Sequence, residues 1–243
     1  MAQTPKIPIA PERSRPADRP TSVRIIHGDC LDELRKIPNG SVDAIVSDPP
    51  FGVDDQPHRR ADGSRLDKIA GDAAPPIWFL PQAYRVLKYG GAMLIFVRYD
   101  VEATWRWGIR LAGFRPRAQI VWDKVNHGMG DARGDWAPRH ENIVFATKGR
   151  FVFPGKRPST VLRHKRLNGR EHPHEKPIAL MADLTAAVTS PGDLVLDPFL
   201  GSGATACAAY QLGRRFVGIE LEAKYIALAE RRLEELVRER EGR

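Results

Sequence analysis

Cysteine is scarce in this chain of 243 residues, which contains only Cys30 and Cys207. Two cysteines without metal-ligand spacing favour a reducing compartment over a disulfide framework. Long apolar runs are also missing, since none approaches the roughly 20 residues of a membrane-spanning helix. The first residues are polar and rich in proline, which is not typical of a secretory signal. We therefore expect a cytoplasmic protein with no membrane partner and no bound metal.

The composition predicts a folded domain with a local excess of positive charge. Hydrophobic residues make up 42% of the chain and charged residues 28%, which is sufficient for the core of a soluble protein. The formal net charge is +8, and residues 148–176 hold nine Lys or Arg against two Glu. Such a basic block is typical of a surface that binds a polyanion, although a solvated loop has the same composition.

Strand and helix patterns alternate along most of the chain. Residues 1–21 form a basic, proline-rich tail that we predict to be disordered, followed by a single domain over 22–243. Residues 52–76 are polar and too many for an ordinary connection, so a mobile loop is predicted there. Strands are predicted at 23–26, 42–46, 92–97, 118–122, 143–146, 194–196 and 216–219, and helices at 77–88, 101–112, 177–189, 204–212 and from about 29 and 222. This alternation predicts an α/β fold with a mostly parallel central sheet covered by helices on both faces.

The sequence Asp48-Pro49-Pro50-Phe51 follows the predicted strand 42–46. Consecutive prolines cannot continue a strand, because each lacks a backbone N–H and has a fixed φ. The acid and the aromatic ring are therefore expected on a stiff loop at the carboxyl end of the strand, where open α/β sheets bind ligands. A carboxylate, a fixed carbonyl and an aromatic face could bind a flat ring that carries an amine. Taken alone, the motif fits an ordinary strand-to-loop exit better than a binding site.

A glycine-rich turn follows the predicted strand 194–196. Gly201 and Gly203 allow the backbone to turn tightly and to approach a ligand, and the next helix begins there. Glu220 ends the following strand, where an acid can accept both hydroxyls of a ribose. A nicotinamide-dependent oxidoreductase would have a similar turn. Asp197 favours a different ligand, because its carboxylate suits an ammonium group and repels a pyrophosphate.

Together the two motifs resemble the S-adenosylmethionine-dependent DNA amino-methyltransferases, which modify N6 of adenine or N4 of cytosine. Asp48-Pro49-Pro50-Phe51 is similar to their catalytic motif, residues 197–203 to their cofactor motif and Glu220 to their ribose-binding acid. Residues 172–177 resemble a segment that borders the methionine part of the cofactor, and His27-Gly28-Asp29 resembles one whose acid meets the adenine amine. The order of the motifs is similar to that of the permuted beta group, and the resemblance covers most of residues 23–240.

The resemblance implies a Rossmann-like methyltransferase fold, S-adenosylmethionine as cofactor, double-stranded DNA as partner and a possible homodimer encoded by a prokaryote or phage. It places target recognition in a basic insertion at about 125–171. The implied catalytic residues are Asp48, Pro49, Pro50 and Phe51. The implied cofactor-binding residues are Asp29, Cys30, His172, Lys176, Asp197, Phe199, Gly201, Ser202, Gly203, Thr205 and Glu220. The residues expected at the target base or DNA are Trp122, Lys124, Lys156, Arg157, Arg163, Lys165 and Arg166.

These residues define the type of reaction more closely than they define the target base. Asp rather than Ser before Pro-Pro tilts the resemblance toward N6 of adenine, whereas Phe51 in place of the commoner Tyr does not decide it. N4 of cytosine is the alternative, and an RNA base or a protein amide are further ones. Methylation of a ring carbon needs a cysteine, typically after proline, and neither Cys30 nor Cys207 follows proline. A base in a duplex has to be flipped out to reach such a site.

Overall fold

The structure, a computed structural model, describes residues 22–52, 73–127, 133–134, 136–167, 175–240 and 242. The predicted tail 1–21 and positions 53–72 of the predicted mobile loop lie outside these residues, as does His172. The described residues form eight strands in one sheet and six helices, with one turn of 3-10 helix, Ile77–Phe79, before the second helix.

The strands are β1 (Val23–His27), β2 (Val42–Ser47), β3 (Leu87–Val97), β4 (Arg115–Asp123), β5 (His140–Thr147), β6 (Val161–Arg163), β7 (Leu194–Asp197) and β8 (Arg215–Glu220). The helices are α1 (Cys30–Lys36), α2 (Leu80–Val86), α3 (Glu102–Leu111), α4 (Ile178–Val188), α5 (Ala204–Gln211) and α6 (Ala223–Arg240). Of these helices, none in the described part of the chain has both the length and the apolar character needed to cross a bilayer.

The sheet has the strand order β1-β8-β7-β2-β3-β5-β4-β6. The first five strands in this order run parallel, β5 is antiparallel to both β3 and β4, and β6 is parallel to β4. This confirms the mostly parallel sheet. The carboxyl ends of β1, β8, β7 and β2 therefore lie side by side along one edge, which we term the carboxyl edge. Because β5 runs in the opposite direction, its first residues reach the same edge.

Helices cover both faces of the sheet, as the sequence predicts. On one face, Leu34 of α1, Leu80 of α2 and Trp105 of α3 belong to one buried apolar cluster with Ile45. On the other face, α4, α5 and α6 pack in a second cluster that includes Val46 of the same strand. Burial on both faces explains why these central strands are continuously apolar in sequence. The fold is Rossmann-like.

The predicted boundary between α2 and β3 is wrong. The periodicity predicts a helix over 77–88 and a strand from residue 92, but the helix ends at Val86 and β3 begins at Leu87. Leu87 is buried in the sheet beside Val42, so its apolar side chain serves a strand and not the helix face. Lys148 stabilises the junction, because its ammonium donates to the carbonyls of Tyr84 and Leu87 at 2.7 Å each.

The range 125–171, predicted as a basic target-recognition insertion, contains two strands of the central sheet. Within this range, β5 lies inside the central sheet between β3 and β4, and β6 pairs with β4 at the end of the sheet. No strand was predicted at β6, since the segment has only three residues, of which Val161 and Arg163 are exposed. Pairing with β4, with Val121 opposite Val161, makes it a strand. The basic block therefore belongs in part to the central sheet itself.

Candidate active site

Acidic residues from distant parts of the chain meet at the carboxyl edge. Asp29 follows β1, Glu220 ends β8, Asp197 ends β7 and Asp48 follows β2, and these four strands are consecutive in the sheet. Neighbouring strands lie about 4.8 Å apart. The sheet therefore brings the two sequence motifs together, because β2 and β7 pair directly, with Ala44 opposite Val195.

The glycine-rich turn has a backbone that only glycine adopts easily. Gly201 has φ 52° and Gly203 has φ 80°, both in the left-handed region. A Cβ on Gly203 would lie 2.6 Å from the Cβ of Ala229, so glycine is also required for the close packing of α6. Ser202 and Thr205 are buried beside the turn. The glycine-rich turn thus packs closely against α6.

Glu220 is oriented by backbone groups on both sides. One carboxylate oxygen accepts the N–H of Gly201 at 2.8 Å and the other accepts the N–H of Glu222 at 2.8 Å. Burial raises the pKa of Glu220, and these hydrogen bonds offset only part of that effect. Each oxygen retains a second lone pair. The side chain can therefore accept further hydrogen bonds from a ligand without losing its fixed position.

Asp197 is enclosed and does not face the edge as expected. Its side chain is 2% exposed and accepts the hydroxyls of Ser47 and Thr205, each at 2.6 Å, and the N–H of Phe199 at 3.1 Å. Burial raises the pKa of Asp197 to about 7, although the hydroxyl groups lower it in part. The expected contact between this carboxylate and a ligand's ammonium does not fit the geometry. Asp197 instead joins the ends of β2 and β7 to the first turn of α5.

Three further residues predicted to bind the cofactor, Asp29, Cys30 and Phe199, lie in different environments. Asp29 is exposed and begins α1, accepting the N–H of Leu31 at 2.8 Å. Cys30 is 7% exposed, and burial raises the pKa of its thiol to about 12. The ring of Phe199 packs edge-on against Phe79 with 5.0 Å between the ring centres. Of these predicted cofactor residues, Asp29 has a side chain that is open at the carboxyl edge.

Lys176 lies at the Asp48 loop and not at the glycine-rich turn. Its side chain is 5% exposed, and its ammonium pairs with Oδ2 of Asp48 and lies 3.2 Å from Oε2 of Glu141. The ammonium is also 4.9 Å from the ring centre of Phe96 and 5.8 Å from that of Phe51. A residue predicted to bind the cofactor thus contacts the predicted catalytic acid.

The pairing continues through Glu141 to Lys124, 2.7 Å away. We term the series Asp48–Lys176–Glu141–Lys124 the charge chain. Burial opposes the ionisation of Glu141, but both lysines outweigh it and lower its pKa to about 2. Burial also opposes the charge on Lys176, yet the two carboxylates raise its pKa. Nothing in the sequence pointed to Glu141, which is an isolated acid at the start of β5.

The second oxygen of Asp48 differs from the first. The side chain is 17% exposed, and its Oδ1 atom is buried and accepts no hydrogen bond from the described residues. Burial raises the pKa of Asp48 to about 6, because Lys176 offsets the loss of hydration only in part. A buried oxygen without a donor is costly, so it is a natural acceptor for a ligand N–H.

Of the seven residues expected at DNA, three contact other residues of the protein and four lie at the surface. Trp122 is 2% exposed and donates its indole N–H to the carbonyl of His164 at 2.8 Å, so it offers no free face to a base. Lys124 belongs to the charge chain, and Arg163 pairs with Asp123 at 3.1 Å. The remaining four lie at the surface, with Arg166 half-buried and the others exposed: Lys156, Arg157, Lys165 and Arg166.

Arg232 of α6 links two of the predicted cofactor segments. Its guanidinium lies 3.0 Å from Glu175 and donates to the carbonyl of Ser202 at 3.0 Å. The segment before α4 is thereby fixed against the glycine-rich turn. Arg232 was not predicted, because α6 carries many charged residues and its partners come from other parts of the chain.

A mostly parallel sheet with a glycine-rich turn after one strand and Asp-Pro-Pro-Phe after its neighbour defines an α/β protein with a Rossmann-like ligand-binding edge. The family model of the N6/N4 DNA methylases matches residues 42–231, most of the chain, and the chain belongs to this family. Membership in this family excludes the alternative of a nicotinamide-dependent oxidoreductase.

Two relatives of this chain are named as a methylase and as a type II methyltransferase. YubD of Escherichia coli K12, named as a methylase, is 34% identical over 215 residues that cover 86% of this chain and 89% of YubD. The type II methyltransferase M.HinfI of Haemophilus influenzae is 29% identical over 253 residues, with 87% of this chain and 68% of M.HinfI covered.

Solved structures share the fold. The M1.HpyAVI–SAM complex has a TM-score of 0.69 and 27% identity, covering 87% of this chain and 100% of that chain. The cytosine-N4-specific PvuII DNA methyltransferase also has a TM-score of 0.69, with 91% of this chain and 93% of that chain covered. At 18% identity, the PvuII comparison demonstrates the fold alone.

Proposed function

We propose that this protein transfers a methyl group from S-adenosylmethionine to the exocyclic amine of a flipped base in double-stranded DNA, with N6 of adenine as the target. The observation that carries the proposal is Oδ1 of Asp48, a buried acceptor without a donor among the described residues, at the end of a strand that pairs with the strand of the glycine-rich turn. Family membership supports the reaction class, and the two motifs support the assignment of the site.

The residues at the carboxyl edge suit S-adenosylmethionine, which supplies an activated methyl group on a positively charged sulfur. Glu220 would bind the ribose hydroxyls, and Asp29 would bind the adenine amine. Among the described residues no ion pair to Glu220 is found, and its two oxygens are held by backbone N–H groups. Acids held by neutral donors fit a cationic ligand. Gly201 and Gly203 would let the backbone approach it, and M1.HpyAVI, which shares the fold, has been crystallised in complex with SAM.

Asp48 would act on the amine of the target base. The lone pair of such an amine is delocalised into the ring, so the nitrogen is a poor nucleophile. Hydrogen bonds from its two N–H groups to Oδ1 of Asp48 and to the Pro49 carbonyl would favour a more tetrahedral nitrogen. Pro50 would keep the loop stiff, and holding the nitrogen in near-attack geometry would supply much of the acceleration.

Phe51 would provide a stacking surface for the flipped base. Flipping costs a few kcal/mol, and stacking on an aromatic ring returns roughly 1–3 kcal/mol per base. The exposed Lys156, Arg157 and Lys165 would contact DNA phosphates, since the basic block matches a polyanion. This charge also favours DNA over a protein amide as the substrate.

Adenine is the preferred target because Asp precedes Pro-Pro at position 48. N4 of cytosine is the second candidate, since an enzyme with the same fold, PvuII, is described as cytosine-N4-specific. The recognised sequence, a partner restriction enzyme and a homodimer are separate questions from the chemistry.

The proposal is tested by expressing the chain in a host that lacks DNA methylation and mapping modified bases by single-molecule sequencing. We expect N6-methyladenine in one sequence context and none with Asp48→Asn. N4-methylcytosine would overturn the choice of base. Unmodified DNA, together with transfer of labelled methyl groups to RNA or protein by the purified enzyme, would overturn DNA as the substrate.

A further inference from the structure

The charge chain contains a carboxylate to which neither motif assigns a role. Glu141 lies at the start of β5, far in sequence from both motifs, and its side chain is 20% exposed. It lies between two ammonium groups, 2.7 Å from that of Lys124 and 3.2 Å from that of Lys176. Lys176 in turn pairs with Oδ2 of Asp48. Glu141 is thus connected to the proposed catalytic acid, Asp48, through Lys176.

Among the described residues, two carboxylates lie within ion-pair distance of the Lys176 ammonium, one on the loop after β2 and one on β5. A buried ammonium is strongly attracted to any carboxylate nearby, since little water screens it. With Asp48 as its sole partner, Lys176 would be drawn toward both oxygens of Asp48. The 3.2 Å contact with Glu141 pulls it back toward β5. The observed result is an ion pair on Oδ2 and an Oδ1 atom without a hydrogen bond from the described residues.

We propose that Glu141 is a positioning residue for methyl transfer, which holds Lys176 on one oxygen of Asp48 and so reserves the other for the substrate amine. The inference rests on the proposed function, because it assigns Asp48 as the acceptor for that amine. Lys124 balances the charge of Glu141 from the side opposite Lys176. The charge chain contains two carboxylates and two ammonium groups, so its net charge is zero. A chain without net charge suits a substrate amine that is itself uncharged.

The charge chain also controls the ionisation of Asp48. The charged groups that act on Asp48 from the surrounding described elements are Lys176 before α4, Glu141 of β5 and Lys124 after β4, with Asp197 of β7 nearby. Glu141 raises the pKa of Asp48 and the two lysines lower it. Removing Glu141 or Lys124 should therefore shift this pKa in opposite directions.

The test is the pH dependence of methyl transfer at saturating DNA and cofactor in Glu141→Gln and Lys124→Met. Activity requires ionised Asp48, so the rate of the wild type falls at acid pH, near its pKa of about 6. We expect Glu141→Gln to move this fall to lower pH by about one unit and to reduce the plateau rate about tenfold, the rate equivalent of one pKa unit. Lys124→Met should move the fall to higher pH. General loss of stability would not shift the two profiles in opposite directions.

Two controls accompany these variants. Glu141→Asp keeps the charge and should keep the wild-type pH profile at a reduced rate. Glu102→Gln removes a carboxylate of similar burial, 15% exposed, that accepts from Asn142 next to Glu141 but contacts no member of the charge chain. It should leave the pH profile unchanged.

The outcomes separate this inference from the proposed function. If the wild type transfers methyl groups to DNA and the acid limb of Glu141→Gln stays in place or moves to higher pH, the positioning role is wrong while the proposed function stands. If the wild type methylates no DNA at any pH, the proposed function fails first. Thermal unfolding and S-adenosylmethionine binding by calorimetry verify that each variant is folded.

Discussion

The two halves of the carboxyl edge hold their acids in different ways. On the side of β1, β8 and β7, the carboxylates of Asp197 and Glu220 accept hydrogen bonds from hydroxyls and backbone N–H groups. On the side of β2, β5 and β4, Asp48, Glu141 and Asp123 each pair with lysine or arginine. Burial raises the pKa of the first two acids and also that of Asp48, to about 6, whereas cations lower that of Glu141 to about 2 and hold that of Asp123 well below its usual range.

This difference matches the charge of the ligand proposed for each half. The carboxylate of Glu220 is held by backbone N–H groups and has no ion pair among the described residues, which suits a cofactor that carries a positive sulfur. Acids neutralised by lysine and arginine suit a base amine that has no charge. One sheet edge therefore contains two electrostatic environments, separated by the boundary between the paired strands β7 and β2.

Removal of the proposed catalytic acid should have the largest effect. Asp48→Ala should lower the rate of methyl transfer about 10²–10³-fold, as expected for loss of one essential polar group. The affinity for S-adenosylmethionine should stay near the wild-type value, because Asp48 lies in the half of the carboxyl edge that is proposed to bind the uncharged base. Radiolabelled methyl transfer and calorimetry measure the two quantities. Asp100→Ala, which removes an acid paired with Arg98 after β3, is the control. A normal rate in Asp48→Ala would show that the proposed mechanism is wrong.

Loss of charge in the cofactor half should weaken cofactor binding instead. Glu220→Gln should raise the Kd for S-adenosylmethionine about 10–100-fold, since hydrogen bonds to a charged group contribute about 1.5–3 kcal/mol. The maximal rate at saturating cofactor should change much less. Glu222→Gln is a matched control, because Glu222 is paired with Lys224 at 2.8 Å. Equal affinities in the two variants would contradict the assignment of Glu220.

The pH dependence of stability tests the enclosed acid Asp197. Its folded-state pKa of about 7 lies above its ordinary value of 3.8, so its stabilising contribution is complete below pH 3.8 and lost as pH rises through 7. Between pH 5 and pH 8, the free energy of unfolding of the wild type should fall by about 2–3 kcal/mol more than that of Asp197→Asn. Urea denaturation of the ligand-free proteins measures this, and parallel curves would argue against a buried ionisable group.

Basic residues should have the smallest individual effects, which depend on whether they are already paired. Lys156→Ala should reduce the slope of log Kobs for DNA against log salt by about 0.9, the value for one phosphate contact. Arg163→Ala should reduce it less, because Arg163 is paired with Asp123. Binding titrations at several salt concentrations, performed with the same DNA, measure both slopes. Identical losses would mean that the Asp123 pair opens when DNA binds.

Features determined by local sequence were predicted well, and those determined by tertiary pairing were not. The prolines after β2 and the glycines after β7 act on their own backbone, so the loops that carry Asp48 and Gly201 are found where the motifs predict. The helix pattern failed at Leu87, because pairing with β2 decides its conformation. Glu141 and Lys176 gained their roles from partners on other strands. Trp122 is a similar case, since its indole N–H donates to the carbonyl of His164, a tertiary contact that no local pattern reveals.

The position of β7 and β8 in the sheet has a consequence for biosynthesis. These strands lie between β1 and β2, so β1 and β2 have no direct pairing with each other. Until residues 194–220 emerge from the ribosome, both strands present open edges, and contacts of this sequence separation form slowly. A nascent chain therefore lacks the partner strand of the Asp48 loop until β7 and β8 have been synthesised. The proposed methyl transfer can begin only after that point.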